Sequence, residues 1–131
     1  MIGIDSNIII DVLKDKQDSI RKLSEFSPDE MCTSEVVIYE ILCGIFTLRD
    51  PETRLKQFKA LIDTFAYVFP VDRKASLKSA EIAAKLANVG KMTEHQDALI
   101  AGSLVANGCR KFVTKNVKDF KNIGELEVIS C

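Results

Sequence analysis

The chain has 131 residues, 47% hydrophobic and 28% charged, a composition of one folded globular domain that excludes a disordered or fibrous polypeptide. Its 18 basic and 19 acidic residues leave a net charge of −1, so it lacks the positive field of a protein that coats nucleic acid, while local engagement through metal ions stays open. No apolar run nears the about 20 residues that span a bilayer, no secretion signal opens the chain, and the scattered Cys32, Cys43, Cys109 and Cys131 form no C-x-x-C pair, so a cytoplasmic protein with reduced, structural thiols is expected.

Residues 1–4 are an apolar run read as a buried strand, broken by Asp5-Ser6-Asn7. Ser6 or Asn7 is expected to cap the helix that follows, because a short side-chain oxygen there accepts an orphan helical N–H. That helix, residues 7–14, carries Ile8, Ile9, Val12 and Leu13 at helical spacing. The polar run 14–18 breaks it. Ile20, Leu23 and Phe26 mark a second helix that stops before Ser27-Pro28, since the residue before proline avoids the helical region.

A short strand is expected at 31–33, followed by a helix over 35–47 capped by Ser34. Asp50-Pro51 opens another helix, with proline in its first turn and Leu55, Phe58, Leu61, Ile62 and Phe65 as its apolar positions. Residues 66–70 read as a strand. Asp72 is placed as the cap of a long helix through Asn88, which Val89-Gly90-Lys91 ends, and Thr93 as the cap of a helix through Asn107, which closes on Asn107-Gly108. Strands at 111–114 and 126–129 flank a loop or short helix at 116–124. Strands alternating with helices predict a single α/β domain over residues 1–131, a parallel sheet with helices on both faces. Leu48, Phe58, Phe65 and Tyr67 are assigned to the core, with one helix face left for protein partners.

Several carboxylates do not fit the apolar pattern. Asp5 falls at the carboxyl end of the first strand, where open α/β sheets place ligands. Glu40 interrupts a helix face formed by Val36, Val37, Ile41, Gly44 and Ile45; an unpaired carboxylate there bears a desolvation cost and needs a base, a cation or several donors. A salt bridge satisfies the same need. Asp97 repeats the pattern before Ala101, Leu104 and Val105, although its place in a first helical turn also suits the helix dipole. Thr114, Asn116 and Asp119 follow the fourth strand and offer oxygens at the same sheet edge, or simply form a turn. Gathered carboxylates repel unless compensated, and Mg²⁺ or Mn²⁺ is the usual compensation. The set therefore points to metal-assisted phosphodiester chemistry. His95, the only histidine, is assigned to the surface. Lys111, Lys115, Lys118 and Lys121 surround the proposed edge and are either phosphate contacts or solvated loop lysines.

The motifs Ile4-Asp5-Ser6-Asn7, Ser34-Glu35-Val36-Val37-Ile38-Tyr39-Glu40-Ile41-Leu42-Cys43-Gly44, Asp97-Ala98-Leu99-Ile100-Ala101 and Val113-Thr114-Lys115-Asn116-Val117-Lys118-Asp119-Phe120 together resemble the PIN-domain family. Within it they are most similar to the VapC-type ribonuclease toxins of prokaryotic toxin–antitoxin pairs. The resemblance spans residues 1–129 in matching order. It implies a five-stranded parallel sheet, an acidic pocket for Mg²⁺ or Mn²⁺, endonucleolytic cleavage of a structured RNA such as tRNA or rRNA, and a homodimer inhibited by a cognate antitoxin. On this reading Asp5, Glu40, Asp97 and Asp119 are the catalytic acids, and Asp5 and Asp97 hold the metal. Ser6, Asn7, Thr114 and Asn116 bind substrate or orient water. Many members carry an aspartate where this chain has Asn116, which brings no charge; a one-metal resting state is the corresponding expectation.

Two other readings stand beside it: a PIN-like fold kept as a binding or assembly module, and a housekeeping RNA-processing nuclease. A phosphotransfer domain of the haloacid dehalogenase or receiver type is disfavoured. The first needs a second aspartate where Asn7 stands, and the second an acidic pair ahead of its phosphorylated aspartate.

Overall fold

A computed structural model describes residues 1–131. Five parallel strands, β1 (Ile2–Ile4), β2 (Met31–Ser34), β3 (Tyr67–Phe69), β4 (Lys111–Thr114) and β5 (Glu127–Ser130), form one sheet in the order β3-β2-β1-β4-β5. Seven α-helices connect them: α1 (Ser6–Leu13), α2 (Gln17–Ser24), α3 (Glu35–Phe46), α4 (Pro51–Ile62), α5 (Arg73–Asn88), α6 (His95–Ala106) and α7 (Val117–Phe120). The α/β class and the five-stranded parallel sheet expected from the sequence are those observed. No helix is long and apolar enough to cross a membrane.

Helices α1 to α4 pack on one another as one group and α5 to α7 as another, and the two groups meet where α3 touches α6. Alternation along β1 serves both. Gly3 turns toward α6, where an added methyl would lie 2.9 Å from Leu104, so Ile2 and Ile4 turn to the opposite side. Ile4, Ile8, Ile9, Val37, Ile41, Ile100, Leu104, Phe112 and Val113 are among the side chains fully removed from water. Phe112 and Phe120 pack with ring centroids 4.7 Å apart, fastening α7 to β4. All four cysteines are free thiols, Cys32 and Cys109 buried and Cys43 and Cys131 exposed.

The expected caps at Ser34 and Asp72 are in place: Ser34 accepts the N–H of Val36 and Asp72 that of Ala75. Two others differ. Strand β1 ends at Ile4, so the extended residue before α1 is Asp5, and its own carboxylate accepts the N–H of Ser6 at 2.7 Å. Neither Ser6 nor Asn7 is the cap. Helix α6 starts at His95 behind Glu94, and the Thr93 hydroxyl donates to the Glu94 carbonyl instead of capping. The core assignment is also split. Phe58 and Phe65 are buried, whereas Leu48 and Tyr67 are 46% and 55% exposed. Tyr67 lies on the edge strand β3 and stacks on Phe69; Leu48 follows the last turn of α3 and lines an apolar groove with Ile10, Leu13, Ile41 and Ile45.

The helices that carry Glu40 and Asp97 are tied together below the sheet edge. The Ser103 hydroxyl of α6 donates to the Ser34 hydroxyl at 2.8 Å, and both residues are fully buried. Ser103→Ala should leave Ser34 short of one partner and cost about 1 kcal/mol, read as a lower urea midpoint at unchanged slope.

Candidate active site

The chain runs outward from β1 through β2 to β3 and then returns across the sheet to β4 beside β1. The crevice at the carboxyl ends of β1 and β4 is thus the topological switch point, the place where open parallel sheets bind ligands. Asp5 leaves β1 there and Thr114 ends β4, with the Asp5 N–H bonded to the Val113 carbonyl at 3.0 Å.

Asp5 is 4% exposed and its carboxylate is held on both oxygens. Oδ1 accepts the Ser6 N–H at 2.7 Å and the Ser6 hydroxyl at 3.4 Å; Oδ2 accepts the Thr114 hydroxyl at 2.7 Å and the Asn7 amide at 3.3 Å. Asn116 contributes through its backbone, donating its N–H to Thr114 Oγ1 at 3.0 Å. Its side chain caps nothing. Ser6, Asn7, Thr114 and Asn116 therefore all gather on the Asp5 side of the crevice.

The other acids approach from separate helices. Glu40 comes from the middle of α3, half-buried, with Oε1 shielded from water and without a hydrogen-bond partner. Asp97 comes from the first turn of α6 and Asp119 from α7; they share a cleft with Met92, Thr93, Glu94, His95 and Lys118. His95 is exposed, as expected, but stands on the wall of that cleft.

Burial and crowding raise Asp5, Glu40 and Asp97 above the ordinary carboxylate range. Burial holds the Asp5 carboxyl above its ordinary range, with Asp119 adding to the rise and Thr114 and Ser6 opposing it. Burial raises Glu40 as well, with the charge of Asp5 next and the Ser6 hydroxyl opposing. Asp97 is pushed up to about 6 by burial and by the charges of Asp119, Asp5, Glu40 and Glu94. A carboxyl raised on folding favours the folded chain below its unfolded value of 3.8, and that contribution is lost as pH rises through about 6. In metal-free protein Asp97→Asn should remove this loss. Its gain in stability at neutral pH is about 1 kcal/mol, allowing for the screening that a partly exposed group receives, and urea unfolding on either side of the transition measures it.

The donor set suits a hard divalent cation: four carboxylates with amide and hydroxyl oxygens, and no thiol or imidazole among the predicted ligands. No three acidic, histidine or cysteine side chains close on one point as a finished cage. Mg²⁺ does not require such a cage, since it keeps several waters and takes one or two carboxylates directly. The partnerless Glu40 Oε1 marks a polar demand that the protein itself leaves unmet.

One charged residue of the region has no place in the sequence reading. Asp11, on α1, is 8% exposed and faces Lys115, Ser19 and Lys16. Burial pushes its carboxyl up, but Lys115 and Ser19 outweigh that and hold it below the ordinary range. Its position four residues after Asn7, on the same face of α1, was the available signal.

Comparison with known proteins agrees with this fold. Residues 2–126 match the PIN domain family profile. The chain is 31% identical over 126 residues to the tRNA(fMet)-specific endonuclease VapC of Shigella flexneri, covering 94% of this chain and 92% of that protein. Among solved structures it superposes on DNA-bound VapBC from Salmonella typhimurium with a TM-score of 0.86 at 26% identity, covering 98% of this chain and 96% of the other. It also superposes on VapBC2 from Rickettsia felis bound to a promoter DNA fragment, with a TM-score of 0.86 at 22% identity and coverage of 100% and 99%.

Proposed function

The chain belongs to the PIN-domain family, and from that premise we propose that it is a divalent-metal-dependent endoribonuclease of the VapC type, neutralised by a cognate antitoxin. The observation that carries the reading is the acid cluster at the switch point, with a carboxylate oxygen of Glu40 buried and unpartnered and Asp97 raised by burial and by its acidic neighbours. A purely structural cluster would gain from amides or from ion pairs, whereas no salt bridge engages Asp5, Glu40, Asp97 or Asp119.

On this reading Asp5 and Asp97 would hold Mg²⁺ or Mn²⁺. When bound, the cation supplies positive charge that polarises the scissile phosphate and acidifies a nearby water. The chain's own residues do the rest. Thr114, Asn7 and Ser6 fix the orientation of the Asp5 carboxylate. Glu40, partly desolvated and above its ordinary pKa, accepts a proton from the attacking water, and Asp119 orients that water from α7. Lys118 on the same wall and Lys121 beyond it offer ammonium groups to backbone phosphates. Attack by water on phosphorus breaks its bond to the 3′-oxygen, which leaves with a proton taken from solvent, giving a 5′-phosphate and a 3′-hydroxyl. The RNA is a structured one of the translation machinery, in keeping with the tRNA named for the Shigella flexneri relative.

The protein partners in this proposal are a second copy of the chain and the antitoxin, acting in the cytoplasm. The exposed Tyr39 and Phe46 of α3 and the neighbouring Leu48 support such contacts, since an apolar surface of this kind is where proteins meet. The VapBC assemblies with which the fold superposes support the antitoxin.

The test is incubation of total RNA with purified, antitoxin-free protein in Mg²⁺, Mn²⁺ or EDTA. Discrete fragments that require the metal and vanish with Asp97→Asn are expected. Cutting that survives EDTA would overturn the metal mechanism, and a clean, folded protein that never cuts would favour the binding module.

A further inference from the structure

The segment 114–116 links β4 to α7, and each of its residues is gripped. Thr114 donates to Asp5, Asn116 donates to Thr114, and the Asn116 carbonyl accepts the N–H of Asp119 at 3.0 Å. Lys115, between them, is exposed, yet both its ends are held by α1. Its N–H donates to Asn7 Oδ1 at 3.3 Å and its ammonium donates to Asp11. Asn7 and Asp11 lie one helical turn apart, so they present two acceptors along one face. Asp11 is itself fixed by the Ser19 hydroxyl of α2 at 3.0 Å, with the Lys16 ammonium at 4.0 Å.

We propose that Asp11 and Lys115 are positioning residues: a latch that seats 114–116 against α1 and thereby sets Asp5 and α7, with Asp119, at the geometry the acidic site requires. The proposal rests on the reading of that site as a metal centre. Without the latch, Lys115 is tied to α1 only by the long bond to Asn7. Asn7 also bonds Asp5 and, at 3.4 Å, the Thr114 hydroxyl, so any drift of Lys115 reaches the Asp5 carboxylate in one step. A carboxylate this shielded is costly unless fully satisfied. The Asp11–Lys115 pair meets that cost while withdrawing one lysine from the RNA-facing set.

The experiment is Mn²⁺ titration by calorimetry of the full chain, wild type against Asp11→Asn, Lys115→Met, the double variant and Lys115→Arg. Long-range charge alone predicts opposite signs: Asp11→Asn makes the site less negative and weakens Mn²⁺, while Lys115→Met makes it more negative and tightens it. The latch predicts that both single variants weaken Mn²⁺ by about tenfold, the usual scale for groups that orient ligands. The double variant should then be no worse than either single, because the two act as a unit, and Lys115→Arg should stay near wild type. Lys115→Met strands a shielded carboxylate, so the double variant, which has no such charge, is the folding control. Tighter or unchanged binding in Lys115→Met and in the double variant would overturn the latch. Should wild type bind no Mn²⁺, the metal reading fails, and amide hydrogen exchange at Lys115 and Asn116 decides the latch. Faster exchange in Lys115→Met and in the double variant sustains it; unchanged exchange overturns it.

Discussion

Asp5→Asn is expected to lower RNA cleavage by at least about a hundredfold, because a divalent cation is worth several kcal/mol of charge stabilisation and each 1.36 kcal/mol is a factor of ten. The same substitution should leave the fold nearly as stable as wild type. An asparagine oxygen can still accept the Ser6 N–H and cap α1, since asparagine is as good a cap as aspartate. The amide nitrogen then faces the Thr114 hydroxyl, which can accept it only by releasing the long bond from Asn7, and the Asn7 amide, with which it clashes as donor against donor. That conflict costs about 1 kcal/mol. It is offset by removal of a buried charge whose pKa is already raised by burial and by Asp119. Equilibrium urea unfolding and initial cleavage rates, measured on the same preparation, separate the two effects. A variant that loses activity only in proportion to unfolded protein would contradict a chemical role for Asp5.

Gly102→Ala should be among the most damaging single changes in the molecule, although Gly102 touches no predicted ligand. Helices α5 and α6 meet there so closely that an added Cβ would stand 1.9 Å from Ser79 Oγ, 2.6 Å from its backbone nitrogen and 2.7 Å from its Cα. The Ser79 hydroxyl is engaged with the Ala75 carbonyl at 2.7 Å. Even if the hydroxyl swung away, the backbone atoms could not. The helices must separate, at a cost near the upper end of the about 1–3 kcal/mol typical of overpacking. That is a large share of the about 5–15 kcal/mol that holds a domain together. Ser79→Ala should fail to rescue it, since the nearest backbone atoms remain. Because α6 also carries Asp97, cleavage should fall further than the folded fraction does, at a temperature where the variant is still native. A midpoint equal to wild type would mean that the helices part more easily than their packing implies.

These cases show what sequence can and cannot reveal. Glu40 was legible because one carboxylate breaks a face of Val36, Val37, Ile41 and Ile45, and a local pattern of 3.6 residues is enough to see it. The sheet was legible for the same reason, each strand being a short apolar run between helix caps. The cap of α1 stands ahead of both expected residues because Asp5, Ser6 and Asn7 are all competent caps, and only the end of β1 decides among them. Leu48 and Tyr67 look like core residues in composition; their exposure depends on a helix end and a sheet edge that no local pattern marks. Gly102 and Ser79 meet across two helices, and Asp11 meets Lys115 across 104 positions. Partners that far apart leave no trace in periodicity. The acids could be picked out, and so could Ser6, Asn7 and Thr114 beside Asp5, but the Asp11–Lys115 pair behind them could not.

We place a divalent cation in the crevice at the carboxyl ends of β1 and β4, held by Asp5 and Asp97 with Glu40 and Asp119 around it. Anomalous diffraction from crystals soaked in Mn²⁺ tests it most directly. A manganese peak is expected between the Asp5 and Asp97 carboxylates and should disappear in Asp5→Asn crystals. A peak lying elsewhere, or no peak at millimolar Mn²⁺ with the crevice open to solvent, would contradict it.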